Sequence, residues 1–202
     1  PHFPENLRFF WIQNVEVLEL DVTDIHSIQR AKETLEGRIR KLDVLVNNEG
    51  IRGEIPQPAS TVPVRVLREV FETNFFGAIQ VTQVFFPLLE KSEAPVIVNV
   101  TSDLGSLAFR SDPSVKSYSL ERAAYGPSKT ALNAYTVALA SELRGSKFRV
   151  NCVNPGHTAT AFNDYKGTKP VAQGAAVIVK FALLDEGETT GKYLSEEGET
   201  PW

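Results

Sequence analysis

Residues 42–50 read Leu42-Asp43-Val44-Leu45-Val46-Asn47-Asn48-Glu49-Gly50. Leu42 to Asn47 is a short, nearly continuous apolar run stopped by turn residues, the pattern of a strand buried on both faces. Downstream the pattern recurs at Pro95 to Thr101 (PVIVNVT) and at Phe148 to Val153, the latter stopped by Asn154-Pro155-Gly156. Between these runs the apolar residues take helical spacing, first over a long segment from Pro63 to Leu89 broken only by Gly77 and Pro87, then from Arg122 to Arg144. Upstream, Val15 to Asp21 (VEVLELD) alternates apolar and acidic residues and predicts a strand, which Val22-Thr23-Asp24 delivers to a capped helix over Ile25 to Arg40. A helix over Pro170 to Leu184 and a short strand over Lys192 to Ser195 complete the series. Strand and helix in strict alternation predict an α/β fold, a doubly wound parallel sheet with helices on both faces.

At 202 residues the chain fits one domain, 1–202, with a single sizeable core. Its charged fraction is 23% and its formal net charge −4, with both signs interspersed, which argues against nucleic acid or an anionic membrane as partner. The one cysteine, Cys152, stands in an apolar run and is expected to fill a core position. No apolar stretch reaches the roughly 18 residues of a spanning helix, and the N-terminus lacks the layout of a signal peptide, so a cytoplasmic protein without a membrane partner is expected. No metal site is expected.

In such sheets ligands bind beyond the carboxyl ends of the strands. The informative ends are Asp21-Val22, Asn47-Asn48-Glu49-Gly50, Thr101-Ser102 and Asn154-Pro155-Gly156. Tyr125 and Lys129 lie four apart in a predicted helix, which puts their Cβ atoms about 6 Å apart on one face. An ammonium beside a phenol favours the phenolate and brings the pair toward proton transfer at working pH.

Tyr125-Gly-Pro-Ser-Lys129 follows a strand ending in Ser102 and precedes one ending in Asn154-Pro155-Gly156. An Asn-Asn-x-Gly turn stands at Asn47 to Gly50, and Asn74-x-x-Gly77 lies between. Five matches in this order resemble the short-chain dehydrogenase/reductase family, carbonyl-reductase-like members in particular, over about Val15 to Trp202. The resemblance implies a Rossmann-like fold and hydride transfer between NAD or NADP, with NADP favoured, and a small-molecule carbonyl or alcohol substrate. It makes Tyr125 the general acid and base, and gives Lys129 the tasks of lowering the tyrosine's pKa and holding the ribose hydroxyls. Ser102 would donate to the substrate oxygen, and Asn74 would hold a water linking Lys129 to solvent. Asp21 and Val22 would contact the adenine. Asn47, Asn48 and Gly50 would line the adenosine side, and Pro155, Gly156 and Thr160 the nicotinamide side. Ser106 competes with Ser102 for the donor role, Asn74 could instead satisfy backbone in a kinked helix, and His157 reads as a pocket wall. A monomer or a homodimer fits the resemblance.

The sequence departs from the family in three places. Glu49 stands where the Asn-Asn turn normally has alanine, and residues 103–124 are longer than in compact members, an insertion expected to border the substrate pocket. The family's opening strand, Gly-rich turn, helix and second strand are not read at all, since the 13 glycines include no G-x-G. The expected fold is therefore N-terminally truncated, with the phosphate-binding turn missing and cofactor held weakly. Two functions follow: an oxidoreductase whose sequence here is a shortened form of a longer active protein, or a catalytically silent product that acts only as a binding partner.

Overall fold

The computed structural model describes residues 15–115, 121–183 and 189–202. Five strands form one sheet in chain order, β1 (Val44–Asn47), β2 (Val96–Val100), β3 (Arg149–Val153), β4 (Tyr193–Ser195) and β5 (Gly198–Glu199). The first four run parallel, with Asn47 opposite Asn99 and Asn99 opposite Cys152, so their carboxyl ends form one edge. β5 returns antiparallel to β4 as a hairpin, which the sequence patterning had not indicated.

The helices are α1 (Ile25–Glu36), α2 (Val64–Phe71), α3 (Ala78–Leu89), α4 (Leu107–Ser111), α5 (Tyr125–Glu142) and α6 (Val171–Ala182). Alternate residues of β2 face opposite ways. Val96, Val98 and Val100 pack with Val177 and Phe181 of α6. Ile97 packs with Leu89 of α3 and Leu139 of α5 on the other face. Helices thus cover both faces, as the uninterrupted apolar strands require, and α1 packs on α3 through Ile28, Ala31, Val81 and Phe85.

Several boundaries differ from the sequence reading. Val15 to Asp21 is no strand: it is extended but joins no ladder among the described residues, because no neighbouring strand offers it partners. Leu20 and Val22 instead pack on the α1 and α3 core. α1 stops at Glu36 where Gly37, a poor helix former, caps it. The long helix is not uniform, for Glu72–Gly77 forms a π-helical turn between α2 and α3. α5 begins only at Tyr125 and ends at Glu142, and α6 ends at Ala182. The expected end of that last helix at Leu184 and part of the 103–124 insertion lie outside the described residues.

A buried polar ladder crosses the sheet. The Asn47 amide donates to Thr82 Oγ1 at 2.9 Å and to Asn99 Oδ1 at 2.8 Å, and the Asn99 amide donates to Thr136 Oγ1 at 2.9 Å. It ties α3, β1, β2 and α5 together beneath the carboxyl edge.

Gly77 is set by close approach: a Cβ there would lie 2.8 Å from Val22 Cγ2 and 3.1 Å from the Val22 carbonyl. Gly77→Ala is expected to push the 20–22 segment off α3 and to lower stability by about 1–3 kcal/mol, read from the urea unfolding midpoint.

Candidate active site

Residues from the carboxyl edge converge around Tyr125. Its side chain is buried at the first turn of α5, and Lys129, one turn on, is buried as well. The Lys129 ammonium donates to the Val100 carbonyl at the end of β2, 2.9 Å away, and lies 6.0 Å from the Tyr125 ring centroid. Burial holds Lys129 down at about 8, with Glu49 opposing that shift by its charge. Burial pushes Tyr125 up to about 12. The nearby Ser102 hydroxyl pulls it down, and the Asp103 carboxylate pushes it further up. Burial is the largest cause of that rise, and the Lys129 charge is not among its causes.

The two serines are held differently. Ser106 is buried, donates to the Pro201 carbonyl at 2.7 Å and accepts from Phe109 N at 3.1 Å, capping α4. Ser102 stays beside Tyr125, donating to Asp103 Oδ1 at 2.9 Å and accepting from Leu104 N at 3.3 Å. Its backbone carbonyl accepts from the Tyr193 hydroxyl at 2.5 Å.

Asn74 is buried in the π-turn with its side chain fully used. Oδ1 accepts from Ile51 N at 2.7 Å, and the amide donates to the Ile51 carbonyl at 3.0 Å and to Ser128 Oγ at 3.1 Å. The side chain grips the turn after β1 rather than the backbone of its own helix. Gly50 lies in that turn, where a Cβ would approach Lys129 Nζ to 3.5 Å and Asn74 Oδ1 to 3.4 Å.

The other expected residues divide. Asn48 and Glu49 are exposed and line, with Asn47, Leu20, Val22 and Ala78, a cavity of about 400 Å³ beside β1. Asn47 itself is committed to the ladder. Asp21 turns onto Thr23, whose hydroxyl and N–H hold its carboxyl below the usual range, while the cap of α1 is Asp24. Pro155 and Gly156 stand at the end of β3, with Gly156 at φ 78 and its N–H on Asn154 Oδ1. Thr160 starts a one-turn helix, Ala161–Asn163, that brings Phe162 against Tyr125. His157 is exposed, and its carbonyl accepts from Thr168 N and Lys169 N.

Sequence reasoning missed Gln57. Fully buried, it accepts at Oε1 from Ala124 N and Tyr125 N at 3.1 and 3.3 Å, and donates from Nε2 to the Arg52 and Glu54 carbonyls at 2.7 and 3.0 Å. It supplies the side-chain cap that Ala124 cannot give α5. A lone glutamine in a Pro-rich loop carries no local signal of this. Arg52, Phe162, Asp103 and Tyr193 were missed likewise.

Residues 12–170 match the family model for short chain dehydrogenases. The chain belongs to that family. It is 29% identical to short-chain dehydrogenase/reductase 1 of Saponaria officinalis over 94% of this chain and 79% of that one. It is 30% identical to salutaridine reductase of Papaver bracteatum over 89% and 77%. Its fold matches a carbonyl reductase from chicken fatty liver, solved with NADPH bound, at a TM-score of 0.76 and 25% identity over 92% of this chain and 76% of that chain. Short-chain dehydrogenases are oxidoreductases that use NAD or NADP. The residues here fit the nicotinamide and ribose end of such a cofactor: a buried ammonium with one described protein acceptor, a buried phenol one turn away, and Gly50 without a side chain beside the ammonium. Among the described residues no Gly-rich turn stands beside β1 for the pyrophosphate. Nor do they contain a helix long and apolar enough to cross a membrane, or a cluster able to hold a metal ion.

The depressed Lys129 has a measurable consequence. Between its folded value of about 8 and its ordinary 10.5, the unfolded chain keeps a proton that the folded chain has released, so stability rises with pH across that window. Tyr125 acts oppositely, but only between 10 and about 12. From about pH 7 to about pH 10 the wild type is therefore expected to gain roughly 2–3 kcal/mol relative to Lys129→Met, measured by urea unfolding.

Proposed function

We propose that this short-chain dehydrogenase reduces a carbonyl compound, or oxidises the matching alcohol, with Tyr125 as the general acid and base. The observation that carries the reading is the placement of the buried Tyr125 phenol one helical turn from a buried ammonium at the carboxyl end of β2, with Ser102 near the phenol. The nicotinamide, when bound, supplies or accepts the hydride. NADP is the favoured form, because the matching chicken carbonyl reductase was solved with NADPH.

The protein's part follows from the geometry. In reduction Tyr125 gives its proton to the substrate oxygen as negative charge develops there, and a phenol raised to about 12 holds that proton at neutral pH. Ser102 donates to the same oxygen. Its proton now goes to Asp103 Oδ1, so the substrate oxygen must win it by a rotation about the Cβ–Oγ bond. Lys129, anchored on Val100, offers its remaining N–H donors to the ribose and stabilises the phenolate left behind. Because the Asn74 side chain is spent on Ile51 and Ser128, a water linking Lys129 to solvent would rest on the Asn74 main chain. Asn48, Gly50, Pro155, Gly156 and Thr160 border the cofactor in this reading.

Tyr125→Phe keeps the ring and removes the proton. Carbonyl reduction followed by loss of NADPH absorbance is expected to fall by about 10²-fold or more in kcat, and an unchanged kcat would remove Tyr125 from the chemistry.

The two serines should separate by assay. Ser102→Ala is expected to cost roughly 2–4 kcal/mol of transition-state stabilisation in kcat/KM. Ser106→Ala should cost mainly folding stability, about 1–3 kcal/mol, because it strips partners from Phe109 N and the Pro201 carbonyl. The reverse order would move the donor role to Ser106.

A further inference from the structure

The segment after Pro155-Gly156 is closed down on the tyrosine. The Phe162 ring centroid lies 5.4 Å from that of Tyr125, with the planes inclined by 54°. The Arg52 guanidinium stands 5.8 Å from the Phe162 centroid, over the ring, and 3.4 Å from the Asp164 carboxylate.

Both ends of this clamp are built. Arg52 leaves a backbone gripped on either side: Asn74 holds Ile51 through its N–H and its carbonyl, and Gln57 holds the carbonyl of Arg52 itself. Phe162 leaves the one-turn helix Ala161–Asn163, where the Asn163 side chain ties Thr160 N to the Thr158 carbonyl at 3.3 and 2.8 Å. The next two residues, Asp164 and Tyr165, take φ of 55° and 58° without being glycine. Two adjacent side-chain-bearing residues in the left-handed region persist only where surrounding contacts over-determine them. Those contacts hold the Phe162 ring against the ring of Tyr125.

We infer that Phe162, held by Arg52, is the specificity wall of the site and selects a flat, neutral, apolar carbonyl compound. The inference rests on the reading of Tyr125 as the acid and base. A substrate oxygen that reaches Tyr125 and Ser102 brings its carbon skeleton alongside Phe162. An aromatic or conjugated skeleton meets that ring with the offset or edge contacts that aromatic pairs prefer, whereas a small aliphatic one leaves the ring face uncovered. Charge disfavours anions. Asp103 accepts from Ser102 Oγ, the atom the substrate must approach, and Asp164 already occupies Arg52. A carboxylate-bearing carbonyl would face one acid and have to displace another.

The test uses the full chain with NADPH and three probes: acetophenone, butanone and the anionic benzoylformate. Acetophenone is expected to exceed both others in kcat/KM by tenfold or more. Phe162→Ala should lower the acetophenone-to-butanone ratio about tenfold, Phe162→Tyr should keep it, and Arg52→Ala should lower it by a smaller factor. A wild-type ratio near one, or a ratio that survives Phe162→Ala, overturns the inference. Saturation-transfer NMR of acetophenone gives a readout independent of turnover. The signal should be strong on wild type and on Phe162→Tyr and lost on Phe162→Ala. If no carbonyl is turned over while the signal still depends on Phe162, the wall stands and the acid-base reading fails. A signal absent on wild type, or unchanged in Phe162→Ala, overturns the wall.

Discussion

The active site depends on one buried ammonium. Lys129 is out of water, and its described protein acceptor is the Val100 carbonyl, the last of β2. Burying a charge with so little compensation is costly, and the cost appears as the fall of its pKa to about 8. What surrounds it reads as the means of keeping it there. α5 must start at Tyr125 so that position 129 falls over the end of β2, the Asn47–Asn99–Thr136 ladder holds α5 to the sheet at the needed height, and Asn74 keeps the turn bearing Gly50 from filling the space above. The same desolvation raises Tyr125, so the structure holds a neutral phenol beside a lysine that titrates within reach of neutral pH. Desolvation thus drives the two values apart, to about 12 and about 8, and favours the neutral form of each group, the separation that suits a pair to acid and base roles.

The sequence shows those parts of this design that are local in the chain. The apolar runs of β1, β2 and β3 are periodic signals, and their stops place Asn47, Ser102 and Pro155-Gly156 on one edge. The i, i+4 spacing of Tyr125 and Lys129 needs only a helix. Pairings between distant residues leave no such trace. Gln57 caps α5 across 67 or 68 positions, and Arg52 reaches Asp164 across 112. Neither residue type at either place is unusual. Asn74 shows the difference within one residue: its place beside Gly77 was readable, but the use of its amide on Ile51 and Ser128 was not, because that depends on how the π-turn rotates the side chain.

Where the reading failed, the missing term was a partner. Val15 to Asp21 has the alternation of a strand, yet alternation describes a surface and not a hydrogen-bonded edge. With no neighbour among the described residues to complete a ladder, the segment keeps its apolar contacts through Leu20 and Val22 and gives up its pairing. The outer edge of β1 shares this condition. It borders the cavity of about 400 Å³ lined by Leu20, Val22, Val44, Leu45 and Val46, where apolar side chains face space rather than a strand.

The placement of Ser102 carries the argument to the far end of the chain. Tyr193 of β4 sends its hydroxyl to the Ser102 carbonyl, Trp202 packs at a tilt against Tyr193 with centroids 5.5 Å apart, and the carbonyls of Pro201 and Trp202 accept from Ser106 Oγ and Ala108 N. The loop carrying the donor is thus strapped by the hairpin and the residues after it, so that of two serines four positions apart one is locked into the strap and the other left beside the phenol. The two hydroxyls are thereby made unequal: Ser106 is spent on holding the loop, and Ser102, fixed through its carbonyl, keeps a hydroxyl whose only described side-chain acceptor is the adjacent Asp103.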